Sequence, residues 1–290
     1  MPAATPVQKE KKPMQERVSR AADGASGAAG VVMERPHSGV AVITMNRSAT
    51  RNSLSLAMID DLQSAIAELS ADSGIAAIVL AADGPVYSAG HDLKELSAHR
   101  ADADGGAAFF AETMKKCSIL MQAIVACPKP VIAAVQGTAT AAGCQLVATC
   151  DLAVAGKKAK FCTPGVNIGL FCSTPMVALS RNVSRKRAME MLLLGEMLSA
   201  NEAAEYGLVN RVVADDKLME AALSFAVKIA EKSLATVAIG KAAFYAQIEK
   251  PLAEAYAFTS QIMVENMMAR DAEEGMSAFL EKRKPEWKGR

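Results

Sequence analysis

The sequence has almost no net charge, few histidines and no long apolar run, and each shortage excludes a class of protein. Its 290 residues include 32 basic and 31 acidic side chains, whereas a nucleic-acid-binding chain usually carries a clear basic excess. Three histidines and no Cys-x-x-Cys pair leave no zinc-ligand spacing. No stretch reaches the roughly 18 uninterrupted apolar residues that a membrane span needs. With 51% apolar and 22% charged residues, the composition is that of an ordinary globular protein.

The N-terminal segment has no apolar centre of the kind found in secretory signals. Glu10 and Glu16 also weaken a mitochondrial-import interpretation of its basic residues. We therefore predict a cytoplasmic protein, with the mitochondrial matrix as the alternative. Residues 1–30, which end in the small-residue run ADGASGAAG, are predicted to be a disordered tail.

The cysteines stand mostly in apolar segments such as residues 118–127, SILMQAIVAC. We interpret them as small buried hydrophobic residues in a reducing compartment. The six are Cys117, Cys127, Cys144, Cys150, Cys162 and Cys172.

Residues 31–215 alternate between short apolar runs and helical patterns. Apolar residues recur every fourth position over residues 52–66, which predicts a helix capped by Asn52 or Ser53. A second helix is predicted over residues 107–126. The apolar runs are typical of strands buried on both faces, so we predict a parallel sheet covered by helices. These runs are residues 40–45, 75–82, 130–136 and 150–155.

The C-terminal part is mainly helical, and we divide the chain into the tail, a β/α core over residues 31–215 and a helical region over residues 216–290. One predicted strand, residues 208–213, interrupts the helices. The helical patterns cover residues 184–194, 200–206, 217–232, 234–248, 251–268 and 271–283.

Two loops of small residues each lie between a strand and a helix. The first, residues 83–96 (DGPVYSAGHDLKEL), contains Gly90 and ends where His91 and Asp92 begin a helix. The second is residues 136–145, QGTATAAGCQ. Backbone N–H groups at two such turns can converge as an oxyanion hole. Tight packing between a strand and a helix is the alternative explanation of both loops.

Several segments, in this order, resemble the crotonase, or enoyl-CoA hydratase/isomerase, superfamily. Three segments are also similar to one particular subgroup: residues 88–96 (SAGHDLKEL), 163–175 and 279–287. The superfamily segments are VITMNR (residues 42–47), YSAGHDLK (87–94), KPVIAAVQG (129–137), AGCQLVATCDL (142–152), FCTP (161–164) and AAEYGLVNRVV (203–213).

The resemblance implies an α/β fold, a spiral of ββα units, whose helical C-terminal region forms trimers or dimers of trimers. It implies an acyl-CoA thioester substrate in fatty-acid metabolism and lyase-type chemistry, and no separate cofactor, because CoA is part of the substrate. The N–H groups of His91 and Ala142 would hold the thioester oxygen as an enolate forms; Ala142 replaces the family's usual glycine. No nucleic acid or membrane span is expected.

The resemblance also implies which residues contact CoA. Residues 89–94 would line it, Arg51 and Lys94 would meet its phosphates, and Phe279 and Lys282 would border a neighbouring subunit's CoA site. Solvated surface charge is the alternative for Arg51, Lys94 and Lys282, and capping of a helix is the alternative for Asp92. The implied CoA-binding residues are Arg51, Ala89, Gly90, Asp92, Leu93, Lys94, Phe279 and Lys282.

The sequence departs from the family where hydratases use two glutamates as base and acid. Gln145 and Gly165 stand at these positions, and neither titrates. Because each such group contributes about 10²–10⁴-fold, we predict weak or absent hydratase activity. The isomerases usually need the second glutamate too.

Three readings of the site stay open. The first is an enzyme that stabilises a thioester enolate, with Gln145 orienting water or a carboxylate or simply facing solvent. The second is a malonyl-type acyl-CoA decarboxylase using His91, because loss of CO₂ generates an enolate without a base. The third is a non-catalytic acyl-CoA sensor or interaction subunit. Cys172 is structural, or a nucleophile if a base lies nearby.

Overall fold

The computed structural model describes Arg17–Ser19 and residues 30–289. Strands within these residues form two sheets. In chain order they are β1 (Arg17–Ser19), β2 (Val31–His37), β3 (Gly39–Met45), β4 (Ile75–Ala82), β5 (Val86–Ser88), β6 (Val131–Val135), β7 (Thr138–Thr140), β8 (Leu152–Gly156), β9 (Lys160–Cys162), β10 (Leu198–Ser199) and β11 (Arg211–Val213).

The α-helices are concentrated in the second half of the chain. Short 3₁₀ turns connect some of them. In chain order they are α1 (Leu56–Ala71), α2 (Leu93–Ala98), α3 (Ala107–Ala126), α4 (Ala142–Thr149), α5 (Pro175–Asn182), α6 (Arg185–Leu194), α7 (Ala200–Glu205), α8 (Leu218–Ala230), α9 (Leu234–Gln247), α10 (Leu252–Met267) and α11 (Arg270–Leu280).

The two sheets are built by the same repeated step. The larger has the order β1-β2-β3-β4-β6-β8-β11 and the smaller β10-β9-β7-β5. The chain places β4, β6 and β8 side by side and parallel in the larger sheet, and β5, β7 and β9 side by side and parallel in the smaller one. Each turn of the spiral thus gives one strand to each sheet before a helix follows, which confirms the predicted α/β spiral of ββα units.

The larger sheet is buried on both faces, which explains its continuous apolar runs. Side chains of β3 alternate: Ile43 and Met45 face the core cluster that includes α1 and α3. Val40 and Val42 face a second cluster, with Ala222 and other residues of α8. Helix α8 begins after the predicted domain boundary at residue 215 and covers this second face of the sheet.

Most predicted elements are confirmed, several within one or two residues. Strand β4 and helix α3 have the predicted limits, residues 75–82 and 107–126. The helix predicted from residue 52 begins at Leu56, because Ser55 is its N-cap and accepts a hydrogen bond from the Met58 N–H at 3.2 Å. The prediction of Asn52 or Ser53 as this cap is therefore wrong.

Asn52 has another role that explains the difference. Its side chain accepts from the Arg47 N–H and donates to the carbonyl oxygens of Asp83 and Val86, each at 2.9 Å. It is fully buried and ties the start of α1 to the turn before β5.

The N-terminal segment is described only in part. Arg17–Ser19 pairs antiparallel with β2, so a paired strand lies inside the segment predicted as a disordered tail. The rest of that tail lies outside the described residues. Among the residues that are described, no helix has the length and apolarity needed to cross a membrane.

Candidate active site

Two neighbouring strands of the smaller sheet deliver the two loops to one place. Strands β5 and β7 pair in parallel, so the loops that follow them leave the same edge. The Thr140 hydroxyl donates to the carbonyl oxygen of Ala89 at 2.9 Å and joins the loops directly. The Ala89 N–H donates to the Arg51 carbonyl oxygen at 3.0 Å, which fixes the first loop to the segment before α1.

Gly90 is the point of closest approach. Its φ is +82°, a region that disfavours residues with a side chain. A Cβ atom added there would lie 3.0 Å from the Ala141 Cβ and the Thr140 carbonyl oxygen, and 3.2 Å from the Ala142 nitrogen. Gly143 is packed in the same way, since a Cβ there would overlap the carbonyl oxygen of Ser88. The absence of side chains thus lets the two backbones meet.

The backbone hydrogen bonds around this contact leave two N–H groups available. Leu54 N–H donates to the Gly90 carbonyl oxygen at 2.8 Å, and Ala141 N–H donates to the Cys162 carbonyl oxygen at 3.0 Å. Within residues 30–289, no protein acceptor is paired with the N–H of His91 or of Ala142. Ala142 is the first residue of α4, where an N–H has no partner within its helix.

The His91 ring is held by Leu54. Its Nδ1 lies 3.3 Å from the Leu54 carbonyl oxygen, and because a carbonyl only accepts, Nδ1 carries the hydrogen. Burial lowers the pKa of His91, although the bond to Leu54 opposes this shift. The ring is thus neutral near pH 7, and its Nε2 is buried without a partner.

Other buried oxygen atoms without hydrogen bonds include those of Gln145 and Thr163. Gln145, in the first turn of α4, is 5% exposed, and its Oε1 has no partner. The alternative that Gln145 faces solvent is therefore wrong. Thr163, just after β9, is 1% exposed with an unpartnered Oγ1. Buried polar atoms normally have partners, so these atoms are candidates for contact with a bound ligand.

Gly165 and Cys172 are in direct contact. The Gly165 N–H donates to the Cys172 Sγ at 3.4 Å. A Cβ at residue 165 would lie 3.0 Å from that sulfur and 2.9 Å from the Leu170 carbonyl oxygen. Burial raises the pKa of the Cys172 thiol, against the opposing effect of the Gly165 N–H. The protonated thiol is therefore the resting form at neutral pH, and it is a poor nucleophile.

Comparison with known proteins identifies the family of this chain. The enoyl-CoA hydratase/isomerase family matches residues 35–290. The chain belongs to this family. Human mitochondrial enoyl-CoA hydratase domain-containing protein 3 is 50% identical over 249 residues, which cover 86% of this chain and 80% of that protein. This confirms the subgroup that the sequence resembles.

A second relative and a solved structure support the same family assignment. Mitochondrial enoyl-CoA hydratase of Pongo abelii is 34% identical over 250 residues, which cover 86% of this chain and 83% of that protein. The crystal structure of an enoyl-CoA hydratase from Mycobacterium smegmatis has a TM-score of 0.84 at 50% identity, covering 89% of this chain and 98% of the other. The chain is a crotonase-fold protein of an enzyme family.

The remaining residues predicted to contact CoA divide into two groups. Arg51, Leu93 and Lys94 are exposed beside the first loop. Phe279 and Lys282 are also exposed, but they lie at the end of α11, a helix that packs on α9 and α10. No described contact brings these two to the loops, and their predicted role beside a neighbouring subunit stays a prediction.

Asp92 caps α2. It accepts from the backbone N–H groups of Lys94 at 2.9 Å and Glu95 at 3.2 Å, and from the Ser53 hydroxyl at 2.9 Å. Burial raises the pKa of this carboxyl, but the hydrogen bonds together outweigh burial and lower it. The geometry therefore supports the capping alternative that the sequence left open.

Sequence reasoning missed Thr163 and the contact between Cys172 and Gly165. Thr163 belongs to the FCTP segment used for the resemblance. The six cysteines are free and buried, as expected. Within the part of the chain that the structure describes, no three His, Cys, Asp or Glu side chains gather as metal ligands.

Proposed function

We propose that this protein binds acyl-CoA thioesters and stabilises a thioester enolate with the backbone N–H groups of His91 and Ala142. The observation that carries this proposal is the close approach of Gly90 to the Ala142 nitrogen, with both N–H groups free of protein acceptors. Two backbone donors fixed by the fold need no reorganisation when negative charge develops, and for this reason such donors stabilise oxyanions well.

A bound conjugated thioester tests the hole directly. The absorbance of hexadienoyl-CoA moves to longer wavelength when hydrogen bonds polarise its carbonyl group. We expect this shift with the wild-type protein and with Ala142→Gly, which keeps the N–H. Ala142→Pro removes that donor at a helix position where proline is tolerated, and the shift should decrease; because the proline ring also takes up space at the nitrogen, the decrease counts only if the variant still binds the thioester. Binding of the thioester to the wild type without a shift would contradict the proposal.

We also propose that ordinary hydration is weak. Gln145 and Gly165 supply neither the base nor the acid for adding water to a double bond. Crotonyl-CoA hydration should therefore be at least about 10²-fold slower than in a two-glutamate hydratase. Loss of the enoyl-thioester absorbance measures this rate. Turnover close to that of an ordinary hydratase would mean that other residues supply both groups.

Decarboxylation of a malonyl-type thioester is the second candidate, and the His91 ring favours it. The ring is neutral, is held by Leu54, and has a buried Nε2 without a partner, on the residue whose backbone N–H belongs to the proposed hole. Loss of CO₂ leaves the electron pair of the broken C–C bond in the enolate, so no base is needed. Release of CO₂ from methylmalonyl-CoA, lost in His91→Ala, is the expected result. Failure of the wild type to release CO₂ would exclude it.

The oligomeric state and the location extend the proposal. A trimer or dimer of trimers is proposed from the family resemblance, and sedimentation would measure it. Because the human relative is named mitochondrial, a mitochondrial matrix location gains support over the cytoplasm predicted from the sequence.

If thioesters bind but no acyl group is turned over, the chain is a sensor or interaction subunit instead.

A further inference from the structure

We propose that Ala141 is a positioning residue, whose strained backbone and methyl group hold the Ala142 N–H in place for the thioester oxygen. The proposal rests on the proposed function, because it requires that this N–H belongs to an oxyanion hole. Ala141 acts through the peptide unit that it shares with Ala142 and through its contact with Gly90.

The backbone of Ala141 adopts a conformation that usually requires glycine. Its φ is +49° and its ψ is −119°. Arg51 also has a positive φ, of +57°, but its ψ of +34° falls in the small left-handed region that residues with a side chain tolerate. The ψ of Ala141 lies far outside that region, so the residue is strained. Such strain persists only where the surrounding structure fixes the backbone.

Hydrogen bonds on both sides of Ala141 fix its backbone. Its N–H donates to the Cys162 carbonyl oxygen, and its carbonyl oxygen accepts from the Gln145 N–H, both at 3.0 Å. The C=O and N–H groups of a trans peptide point in opposite directions. Because the Ala141 carbonyl group points into α4, the N–H of Ala142, in the same peptide unit, points out of the start of the helix. The strained ψ of Ala141 is therefore the torsion that directs this donor.

The methyl group of Ala141 is a direct contact between the two loops. A Cβ added at Gly90 would lie 3.0 Å from the Ala141 Cβ, so this methyl group packs against the glycine that precedes His91. Glycine at residue 141 would relieve the backbone strain, but it would also leave two glycines facing each other. The Cβ of the strained alanine thus sets the separation of the loops that carry the two donors.

A buried polar atom at the same end of α4 is a second sign that a ligand is received there. Gln145 follows Ala142 by three residues, so both lie on one face of the helix. Helical side chains lean toward the N-terminal end, which brings the Gln145 side chain toward the Ala141–Ala142 peptide. Gln145 is 5% exposed, and its Oε1 is buried without a partner among the described residues. The donor that Ala141 directs and this free acceptor therefore lie at the same end of α4.

Ala141→Gly tests the proposal, because it should change stability and function in opposite directions. Relief of strain should lower the equilibrium constant for unfolding, measured in urea, about threefold or more, even after the greater freedom of glycine in the unfolded chain is subtracted. Loss of the methyl contact should reduce the absorbance shift of bound hexadienoyl-CoA by roughly half, since one of the two donors loses its fixed position. The shift is measured at saturation, so that weaker binding does not affect it.

Ala67→Gly is the matched control, since Ala67 is exposed in the interior of α1. Glycine in a helix interior lowers stability, whereas the shift should equal that of the wild type.

The outcomes separate this proposal from the proposed function. A wild-type shift that Ala141→Gly leaves unchanged would overturn the positioning role and leave the oxyanion hole standing. Stability that fails to rise in Ala141→Gly would overturn the assignment of strain to residue 141. Absence of binding, or binding without a shift, in the wild type would overturn the oxyanion hole and the role of Ala141 together.

Discussion

Replacement of Lys241 should strongly destabilise the protein, because this side chain joins α9 to the sheet through a buried ion pair. Its ammonium group donates to Asp151 Oδ2 at 2.6 Å and to the carbonyl oxygens of Ile124 at 3.0 Å and Lys129 at 3.1 Å. The two charged side chains are only 7% and 14% exposed. Lys241→Met keeps the apolar stem and removes all three hydrogen bonds.

The magnitude follows from what remains around Asp151. Removing one partner of a buried pair costs about 3–5 kcal/mol. Asp151 keeps a hydrogen bond from the Val131 N–H at 2.7 Å and one from the Tyr245 hydroxyl at 2.9 Å. Its carboxylate therefore keeps some of its hydrogen-bond partners in the variant. We expect the free energy of unfolding to fall by an amount near the lower end of this range, about 3 kcal/mol.

Urea denaturation of both proteins at pH 7 measures the difference in unfolding free energy. Lys115→Met, on an exposed part of α3, is the control and should change stability by less than about 0.5 kcal/mol. Combining Lys241→Met with Asp151→Asn should cost less than the sum of the two single changes, since the pair acts as a unit. A loss below about 1 kcal/mol for Lys241→Met would refute the reasoning from buried charge.

Three further predictions concern the site. Gln145→Glu with Gly165→Glu should gain little crotonyl-CoA hydration, because a side chain at residue 165 meets the Leu170 carbonyl oxygen and the Cys172 sulfur. Adding Cys172→Gly removes the sulfur and leaves the carbonyl oxygen in place, so it should raise the rate about 10²-fold or more only if the sulfur is the main obstacle, and an equal rate in both would contradict that role of the sulfur. Gly90→Ala should destabilise the protein by about 1–2 kcal/mol, since left-handed backbone costs a residue with a Cβ this much; an unchanged free energy of unfolding in urea would count against the loop geometry. Because the pKa of Asp92 is lowered in the fold, its carboxylate stabilises the protein above its ordinary pKa, and this stability is lost as pH falls through the folded value. Asp92→Asn should therefore flatten the pH dependence of urea unfolding below about pH 4, and a dependence like that of the wild type would refute this.

The main elements could be predicted because their signals are local. The run that forms β4 is buried on both faces, and the helical spacing of α3 is complete within its own residues. The small-residue loops were found in the same way, since the residue types that permit close backbone approach can be read from sequence. The absence of titratable side chains at Gln145 and Gly165 follows from residue identity alone, once the family resemblance assigns the positions.

The smaller sheet, the cap of α1 and the contact between Cys172 and Gly165 were decided by the tertiary structure, because each depends on residues outside the local segment. The strands of the smaller sheet have two or three residues each, too few for an alternating pattern, and pairing alone defines them. Asn52 is a residue type that often caps helices, but its side chain is hydrogen-bonded to three backbone groups outside α1. Ser55 caps α1 instead. The sulfur of Cys172 fills the space beside Gly165 only because the loop after Gly165 folds back on itself. The sequence by itself thus determined which groups are available, and the tertiary structure decided which of them meet, because contact depends on how distant segments pack.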